Sequence, residues 1–360
     1  MSVNSIPTFS DLDEKQQLVL RRLSTQVNKV FVTGAGGFLG KALCRFLCSA
    51  GINVVGFARG DYPELEQMGV LMVKGDICDK QALTDAMQGA DLVFHVASKA
   101  GVWGSKASYF DANVSGTENI ISVCQALNIR RLVYTSTPSV TFVGKDENAI
   151  DESHPYATHF LNFYALSKAI AEQKILAANS ETLKTLALRP HLIWGPGDPH
   201  LVPRVLQRAK AGRLKLVGKT DKLVDTIYID NAVYAHLLAA VSLNQPTSNC
   251  AGKAYFVSND QPILMAEMLN KILACQGLKP INARIPAPLA YLIGATLEWV
   301  YLKLNKEQEP PITRFVARQL STSHYFDISA AKKDLGYQPI VSIDQGMEKL
   351  KDSLCDSREL

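Results

Sequence analysis

Residues 28–49 read NKVFVTGAGGFLGKALCRFLCS, and this stretch decides the fold. A short apolar segment ends at Thr33, a glycine-rich turn follows, and apolar residues then recur at helical spacing through Ser49. This order predicts a strand, a tight turn and a helix whose first N–H groups have no partner within the helix. Such a helix start attracts phosphate groups, so the stretch predicts a dinucleotide-binding site.

Three glycines of the turn have separate predicted tasks. Gly34 makes the tight turn, Gly37 lets the backbone approach a pyrophosphate, and Gly40 lets the helix pack closely on the strand. The spacing is GxxGxxG, whereas the commonest dinucleotide fingerprint is GxGxxG, and the alternative is a glycine-rich turn with nothing bound. The residues predicted to contact the cofactor here are Gly34, Gly36, Gly37, Phe38, Leu39 and Gly40.

The alternation of strands and helices continues along the chain. Further strands are predicted over 53–58, 70–74, 92–96, 131–134 and 185–188, and helices over 81–88, 114–127, 164–178, 230–241 and 262–275. Alternation of this kind predicts an α/β fold with a doubly wound parallel (Rossmann) sheet. We expect an N-terminal arm over 1–27 with a helix over 11–24, and a dinucleotide-binding domain over 28–189. Residues 190–360 are expected to form mainly a smaller substrate-binding lobe, interleaved with the last elements of the sheet.

Composition excludes several classes of protein. With 47% hydrophobic residues and a net charge of +4, the chain is globular, and no basic stripe indicates a nucleic-acid partner. The seven cysteines include no CxxC pair and no histidine cluster joins them, so we expect reduced thiols, no metal site and a cytoplasmic location. The N-terminus lacks the apolar core of a signal peptide, and no apolar run reaches the ~18 residues of a spanning helix.

The second strand predicts which nicotinamide dinucleotide is used. An NAD-specific site usually has an acidic residue at the end of this strand, but here Ala58 is followed by Arg59. A guanidinium pairs well with a phosphate, so Arg59 predicts binding of the 2′-phosphate of NADP(H); the alternative is a solvated surface arginine. Asp76 and Ile77 follow the third strand and are expected near the adenine, although an ordinary turn aspartate is the alternative for Asp76.

Tyr164 and Lys168 lie four residues apart on a predicted helix and therefore share one face. A phenol with an ordinary pKa near ~10 is a poor acid–base catalyst at neutral pH. A nearby ammonium stabilises the phenolate and lowers the pKa of the phenol toward the pH at which the enzyme works. A hydroxyl from the segment Thr135–Ser139 could hydrogen-bond a substrate carbonyl, because this segment follows the strand over 131–134.

Together these residues resemble the extended short-chain dehydrogenase/reductase family. The resemblance runs from about residue 29 to 345 and rests on TGAGGFLG, GDICD, HVAS, ANVSGTENI, TST, YALSK and the Arg-Pro pair at 189–190. It implies that Tyr164 and Lys168 are catalytic, that Thr137 supplies the catalytic hydroxyl with Ser136 as second choice, and that Asn113 supports the site. It also implies cofactor contacts at Ala97, Ser98, Lys99, Pro190 and Ile193.

Longer segments resemble the 3β-hydroxysteroid dehydrogenase-like branch of that family. FARGDYPEL, HVASKAGVWGS, YTSTPSVTF, RPHLIWGPGDPHLVPRV and DTIYIDNAVYAHLLAA are similar in particular to bacterial enzymes that reduce 2-alkyl-3-oxoalkanoic acids in long-chain olefin synthesis. The resemblance implies NADPH-dependent reduction of the 3-oxo group, a homodimer formed through the helices around Val114 and Tyr164, and association with other olefin-pathway enzymes. The alternatives are an NAD(P)-dependent 3β-hydroxysteroid or sterol-4-carboxylate dehydrogenase and, from another class, a non-catalytic NADPH-binding sensor or scaffold.

The apolar stretch over 286–306 leaves three interpretations open. It could form the surface for two long alkyl chains of a substrate, a core or dimer helix, or a helix in peripheral contact with a membrane. Lys99 and Arg204 are candidates for holding the substrate carboxylate, with solvated charges as the alternative.

Overall fold

The computed structural model describes residues 8–246 and 248–356, and strands alternate with helices through the first half of the chain. The strands are β1 (Lys29–Thr33), β2 (Asn53–Ala58), β3 (Leu71–Lys74), β4 (Leu92–His95), β5 (Arg131–Thr135), β6 (Glu147–Ile150), β7 (Lys184–Pro190), β8 (Ile193–Trp194), β9 (Leu216–Val217), β10 (Leu223–Val224), β11 (Ile227–Tyr228), β12 (Ala254–Val257), β13 (Ile263–Leu264), β14 (Arg284–Ile285) and β15 (His324–Phe326). The α-helices are α1 (Glu14–Ser24), α2 (Phe38–Ser49), α3 (Pro63–Gln67), α4 (Lys80–Ala86), α5 (Lys106–Phe110), α6 (Gly116–Ala126), α7 (Phe163–Ala177), α8 (Leu201–Lys210), α9 (Ile229–Leu243), α10 (Met265–Ala274), α11 (Ala287–Lys303), α12 (Arg314–Ser321), α13 (Ser329–Leu335) and α14 (Ile343–Asp356).

Seven strands form one parallel sheet in the order β12-β7-β5-β4-β1-β2-β3. The winding runs outward from β1 in both directions, so β1 and β4 are neighbours although β2 and β3 separate them in sequence. The predicted doubly wound parallel sheet is therefore confirmed. A sheet wound in this way has a crevice at the carboxyl ends of the two strands where the direction reverses. That crevice lies at Thr33 and His95, which are register partners.

Helices cover both faces of the sheet. Side chains of successive strand residues point to opposite faces, and in β1 Val30 and Val32 pack with α2 and α9 whereas Phe31 packs with α6 and α7. All three of these side chains are fully buried. Burial on both faces explains why the strands are apolar without the alternation of a half-exposed strand.

Several element boundaries differ from the prediction. The first α-helix begins at Glu14 and not at residue 11, because the Asp13 carboxylate accepts the Lys15 N–H and caps the helix there. This helix packs on α9 and buries Leu20 and Leu23, while residues 1–7 of the predicted arm lie outside the described residues.

Two later helices also begin at residues other than the predicted ones. The helix predicted over 114–127 starts as a π-helical turn, Asp111–Ser115, which leads into α6. The helix predicted over 262–275 starts at Met265, because Ile263–Leu264 pair with β10 as a short antiparallel strand. The pairing with β10 is a long-range contact that local periodicity does not show.

The second half of the chain adds to the large sheet and also builds a separate layer. β12 pairs with β7 at the edge of the sheet. The smaller sheets have the orders β13-β10-β15-β6, β11-β8 and β14-β9, and α11 packs along α12. Within the described ranges, no helix combines the length and apolar character needed to cross a bilayer.

Candidate active site

The glycine turn lies at the carboxyl end of β1, in the crevice of the sheet. Gly34 has a φ of +66°, and a Cβ there would lie 2.8 Å from the backbone of Ala97. A Cβ on Gly40 would collide with the carbonyl of Gly34, so α2 rests directly on the turn. Gly37 is the N-cap of α2 and directs the first N–H groups of the helix, which begins Phe38-Leu39, toward the crevice. These residues fit the pyrophosphate of a dinucleotide.

Tyr62 covers one side of the same turn, which sequence reasoning missed. A Cβ on Gly36 would collide with the Tyr62 ring, so only glycine at position 36 lets the ring lie there. The Lys41 ammonium lies 5.0 Å from the centre of the same ring. An aromatic residue shortly after a strand is too common a pattern to have indicated this contact.

Arg59, Asp76 and Ile77 lie at the ends of β2 and β3. Arg59 is exposed, and its charge is near enough to Cys78 to lower the pKa of that thiol, although burial and the Asp76 carboxylate raise it to about 11. Asp76 accepts the Cys78 N–H at 2.9 Å. Ile77 is buried against Gly116, the first residue of α6. The fold therefore brings the predicted ribose and adenine residues together beside the glycine turn.

A buried hydrogen-bond chain joins β1 to the segment after β4. The Thr33 hydroxyl oxygen accepts the N–H groups of Val96 and Ala97, each at 3.1 Å, so its proton is directed to Nδ1 of His95 at 2.8 Å. Nε2 of His95 then donates to the Thr117 hydroxyl at 2.9 Å. Burial, and next the charge of Lys168, lower the pKa of His95 to about 3, which keeps the ring neutral. His95 thus has a structural position in the core.

Asn113 holds the edge of the site through three hydrogen bonds. Its amide oxygen accepts the Lys99 N–H at 2.7 Å, and its amide nitrogen donates to the Lys99 carbonyl at 3.1 Å and to the Ser167 hydroxyl at 2.9 Å. Because Ser167 lies on α7, Asn113 ties the segment after β4 to the helix that contains Tyr164 and Lys168. Asn113 itself lies in the π-helical turn, a local geometry common at functional sites.

Tyr164 and Thr137 form the reactive end of the site. Burial raises the pKa of the Tyr164 phenol, and hydrogen bonding with the Thr137 hydroxyl acts in the opposite direction. The sequence predicted a lowered phenol pKa, but burial has the larger effect in this structure. A phenol with a raised pKa keeps its proton at neutral pH, which suits a proton donor.

Lys168 lies one helical turn after Tyr164 on α7 and is almost completely buried. Its ammonium donates to the Thr135 carbonyl at 2.6 Å and lies 4.1 Å from the centre of the Tyr134 ring. Burial lowers its pKa to about 7, and the charge of Glu172 opposes that change. The charge state of Lys168 is therefore sensitive to its neighbours near neutral pH.

Glu172 belongs to a buried group that sequence reasoning missed. Its carboxylate accepts from Arg189 Nη2 at 2.6 Å, from Nε at 3.1 and 3.2 Å, and from the Tyr156 hydroxyl at 2.6 Å. The side chains of Glu172 and Arg189 are 0% and 4% exposed, so the pair belongs to the core behind Lys168. The available signal was the spacing of Glu172, one helical turn after Lys168 on the same face.

Ser136 occupies a different position from Thr137. Its N–H donates to the Leu188 carbonyl at 2.6 Å, which continues the pairing of β5 with β7, and its buried hydroxyl has no hydrogen-bond partner among the described residues. The Thr137 hydroxyl accepts the Ser139 N–H at 3.2 Å, and it acts to lower the pKa of the Tyr164 phenol. Of the two predicted hydroxyls, Thr137 is therefore the one that influences the phenol.

The remaining predicted cofactor residues lie at the carboxyl ends of β4 and β7. Ser98 is exposed between Ala97 and Lys99. Pro190 is the last residue of β7 and is buried. Ile193 is the first residue of β8. Leu192, directly before it, has a φ of +47°, which is unusual for a branched side chain. Strained backbone of this kind is held in place by its surroundings and is enriched at functional sites.

The two cations considered for the substrate carboxylate differ in their surroundings. Arg204 makes a bidentate ion pair with Glu309, with distances of 3.0 and 3.1 Å, so its guanidinium already has a carboxylate partner. The Lys99 ammonium lies 5.3 Å from the centre of the Tyr109 ring, and that ring lies 6.4 Å from the ring of Tyr164. Of these two cations, Lys99 is therefore the one close to the reactive phenol.

This arrangement can carry out acid–base chemistry on a carbonyl or alcohol beside a bound nicotinamide, which supplies or accepts the hydride. Thr137 is placed to hydrogen-bond the reacting oxygen, Tyr164 to transfer a proton to or from it, and Lys168 to stabilise the phenolate form. No groups of three or more His, Cys, Asp or Glu that could hold a metal ion occur in the described part of the chain.

The chain is similar to known proteins over most of its length. A family model described as "3-beta hydroxysteroid dehydrogenase/isomerase family" matches residues 31–286. A protein of Shewanella oneidensis named 2-alkyl-3-oxoalkanoate reductase is 63% identical over 95% of this chain and 90% of its own length. A protein of Stenotrophomonas maltophilia with the same name is 51% identical over 90% of this chain and 99% of its own length.

A solved structure described as MoeE5 in complex with UDP-glucose and NAD has a TM-score of 0.72 and 22% identity, and covers 92% of this chain and 99% of its own. At that identity it shows the shared fold alone. The family model spans well over half of the chain, and the two relatives cover nearly all of it. The chain is an oxidoreductase that belongs to the 3-beta hydroxysteroid dehydrogenase/isomerase family.

Proposed function

We propose that this enzyme uses NADPH to reduce the 3-oxo group of long-chain 2-alkyl-3-oxoalkanoic acids, giving the 2-alkyl-3-hydroxyalkanoic acids. The observation that carries the proposal is the packing of α7, which contains Tyr164 and the buried Lys168, against the segment Pro138–Val140 that follows Thr137. The names of the two relatives at 63% and 51% identity support the substrate class. We further propose that the reaction belongs to bacterial olefin synthesis, because the resemblance of the sequence implies that setting.

The roles of the residues follow from their positions. Thr137 donates a hydrogen bond to the substrate carbonyl oxygen and stabilises the charge that develops there. Tyr164 donates its phenolic proton to that oxygen, and the Lys168 ammonium stabilises the phenolate left behind. The raised pKa of the Tyr164 phenol favours this direction, because the proton is present at neutral pH.

The preference for NADPH rests on Arg59. It is exposed directly after β2, where an NAD-specific site usually has an acidic residue, and Asp76 follows β3 instead. A charge-assisted contact with a 2′-phosphate contributes about 1.5–3 kcal/mol. Arg59→Gln should therefore raise the KM for NADP+ about ten- to hundredfold and leave the KM for NAD+ nearly unchanged.

The experiment is oxidation of the product in the reverse direction, because 3-oxo acids lose carbon dioxide spontaneously. The enzyme is mixed with NADP+ or NAD+ and a long-chain 2-alkyl-3-hydroxyalkanoic acid, and nucleotide reduction is followed by absorbance. Tyr164→Phe should reduce turnover by at least about 10²-fold. Tyr325→Phe, which changes a partly exposed tyrosine on β15, is the matched control and should keep full turnover.

The second candidate function is oxidation of a 3β-hydroxysteroid or sterol-4-carboxylate. The description of the matching family model favours it. A sterol-4-carboxylate, like a 3-hydroxy acid, has its oxygen on the carbon β to a carboxylate, so the same residues could serve both. Turnover of a 3β-hydroxysteroid with NAD+, combined with no turnover of the 2-alkyl-3-hydroxy acid, would overturn the proposed substrate. The proposed roles of the catalytic residues would stand.

A further inference from the structure

A buried tyrosine, Tyr134, lies against the ammonium of Lys168. Tyr134 is the fourth residue of β5, directly before Thr135, and it is 1% exposed. The Lys168 ammonium lies 4.1 Å from the centre of the Tyr134 ring, which is the shortest such distance between a cation and an aromatic ring in the described part of the chain. A cation over the face of an aromatic ring is attracted by the negative charge of the π-electrons.

Lys168 has few other groups that stabilise its charge. Its three N–H groups have one hydrogen-bond acceptor among the described residues, the Thr135 carbonyl at 2.6 Å. The Glu172 carboxylate opposes the lowering of the Lys168 pKa by burial, but it also pairs with Arg189, so a second cation offsets part of its charge. Beside the Thr135 carbonyl, the Tyr134 ring is therefore a main source of attraction for the ammonium.

The Tyr134 ring also contacts His95, which is neutral. The centres of the two rings lie 5.4 Å apart. Nδ1 of His95 accepts from the Thr33 hydroxyl and Nε2 donates to the Thr117 hydroxyl, so each nitrogen of the neutral ring has its partner. A neutral His95 brings no second positive charge to the Tyr134 ring. The attraction of the ring is therefore directed to Lys168.

The hydroxyl group of Tyr134 has no comparable role. It is buried and has no hydrogen-bond partner of ordinary geometry among the described residues, although the Thr117 hydroxyl is close enough to act on it. Burial, and next the charge of Glu172, raise the pKa of Tyr134 well above its ordinary value, so the phenol stays neutral. The aromatic ring is thus the part of Tyr134 that acts on Lys168.

We propose that Tyr134 is a positioning residue for the reduction: its ring holds the Lys168 ammonium in place and stabilises the positive charge that the Tyr164 phenolate needs. The advantage of an aromatic ring at this position is that it has no net charge. A carboxylate in the same place would pair with Lys168 and cancel its field at the phenolate, whereas the ring leaves the positive charge available. The use of that charge in catalysis rests on the proposed function, but the contact between ring and ammonium does not.

The groups around Lys168 come from five elements of the fold. The phenols among them have raised pKa values and the imidazole has a lowered one, so these groups are neutral near neutral pH. The carboxylate and the guanidinium pair with each other. The titratable and charged groups are Tyr164 and Glu172 on α7, Tyr109 on α5, His95 on β4, Tyr134 on β5 and Arg189 on β7.

The first test measures the pKa of Lys168 in the full-length enzyme without substrate. The protein is labelled with carbon-13 at the Cε atoms of its lysines, the Lys168 signal is identified by its loss in Lys168→Met, and it is followed by NMR as the pH is raised. Tyr134→Leu should lower the pKa of Lys168 by about 1.5, which is the effect of losing a desolvated cation–π contact. Tyr134→Phe keeps the ring and should give the pKa of the parent.

A second buried tyrosine provides the matched control. Tyr255 on β12 is 0% exposed and packs on the other face of the sheet. Tyr255→Leu and Tyr134→Leu should both lower the free energy of unfolding in urea, because each removes a large side chain from the core. Only Tyr134→Leu should change the pKa of Lys168. A shift of equal size in both variants would indicate general loosening of the core and would overturn the proposal.

The second test follows the pH dependence of kcat/KM for NADPH-dependent reduction of a 2-alkyl-3-oxo acid methyl ester. The fall of kcat/KM with rising pH, expected near pH 7 in the parent, should move about 1.5 pH units lower in Tyr134→Leu. At pH 7 this variant should therefore be at least about tenfold slower than the parent, and the difference should disappear at low pH. Recovery at low pH is not expected from damage to the fold.

The two tests have separate outcomes. An unchanged Lys168 pKa in folded Tyr134→Leu, or an equally lowered one in Tyr134→Phe, would overturn the role of the ring. If Tyr134→Leu does not fold, a fluorinated phenylalanine at position 134 keeps the shape and weakens the negative face, so it should lower the pKa of Lys168, and an unchanged pKa would overturn the proposal. Absence of ester reduction in the parent, together with the expected NMR shifts, would contradict the proposed function alone.

Discussion

Replacing Glu172 with glutamine should shift the pH dependence of the reduction. Lys168 has a pKa of about 7, lowered mainly by burial, and the Glu172 carboxylate one helical turn away opposes that lowering. The reduction uses the charged form of Lys168, which exists below its pKa. For the parent enzyme, kcat/KM for reduction should therefore fall as the pH rises through about 7.

The size of the shift follows from the separation of the two charges. Side chains at i and i+4 are about 6 Å apart, and two unit charges at that distance interact with about 2–3 kcal/mol at an effective dielectric constant of about 20. That energy corresponds to about 2 pKa units. In Glu172→Gln the Arg189 cation also loses its partner. Its repulsion of the Lys168 ammonium then lowers the pKa of Lys168 further. The fall in kcat/KM should therefore move to about pH 5.

The assay measures NADPH consumption with the methyl ester of a 2-alkyl-3-oxo acid, which retains the reacting carbonyl and does not lose carbon dioxide. The pH dependence of kcat/KM reports groups of the free enzyme. Tyr156→Phe removes one hydrogen bond to Glu172 without removing charge, so its profile should match the parent. Glu172→Gln/Arg189→Gln removes both charges and should shift the profile less than the single variant.

The same variants have a stability readout. Removing one partner of a buried pair costs about 3–5 kcal/mol, so Glu172→Gln should lower the free energy of unfolding by that amount, whereas the double variant should lower it less. An unshifted pH profile in a folded Glu172→Gln enzyme would refute the electrostatic role of Glu172. If Glu172→Gln does not fold, the pH profile of Glu172→Gln/Arg189→Gln provides the test instead.

Three further predictions concern packing and binding. Gly36→Ala should weaken NADP+ binding at least about tenfold in calorimetry, because the new Cβ collides with Tyr62, and adding Tyr62→Ala should restore part of the affinity. Gly294→Ala should lower the free energy of unfolding in urea by about 1–3 kcal/mol, since its Cβ would press on Thr313. Lys99→Met should raise the KM for the hydroxy acid about tenfold with unchanged kcat and unchanged KM for its methyl ester, and equal effects on acid and ester would contradict a carboxylate contact.

Local sequence patterns were sufficient for six strands of the large sheet and for the glycine turn, whereas the edge strand β12 was not assigned from the sequence. β2 has the predicted bounds. β1 ends at Thr33 and α2 ends at Ser49, as predicted. These elements are specified by residues next to one another in the chain, through periodicity, glycine conformation and helix capping. The start of α10 was predicted wrongly because a strand partner some 40 residues away outweighs the local helical pattern.

The amino-acid sequence alone determined the doubly wound fold, the spacing of Tyr164 and Lys168 and the absence of an acid after β2, because each depends on neighbours along the chain. Only the tertiary structure decided that Thr137 and not Ser136 influences the pKa of the Tyr164 phenol, that Glu172 pairs with Arg189 behind Lys168, and which face of α11 is exposed. Those outcomes depend on how separate strands and helices come together. Burial, which sets the pKa values of the reactive groups, exists only once that packing is complete.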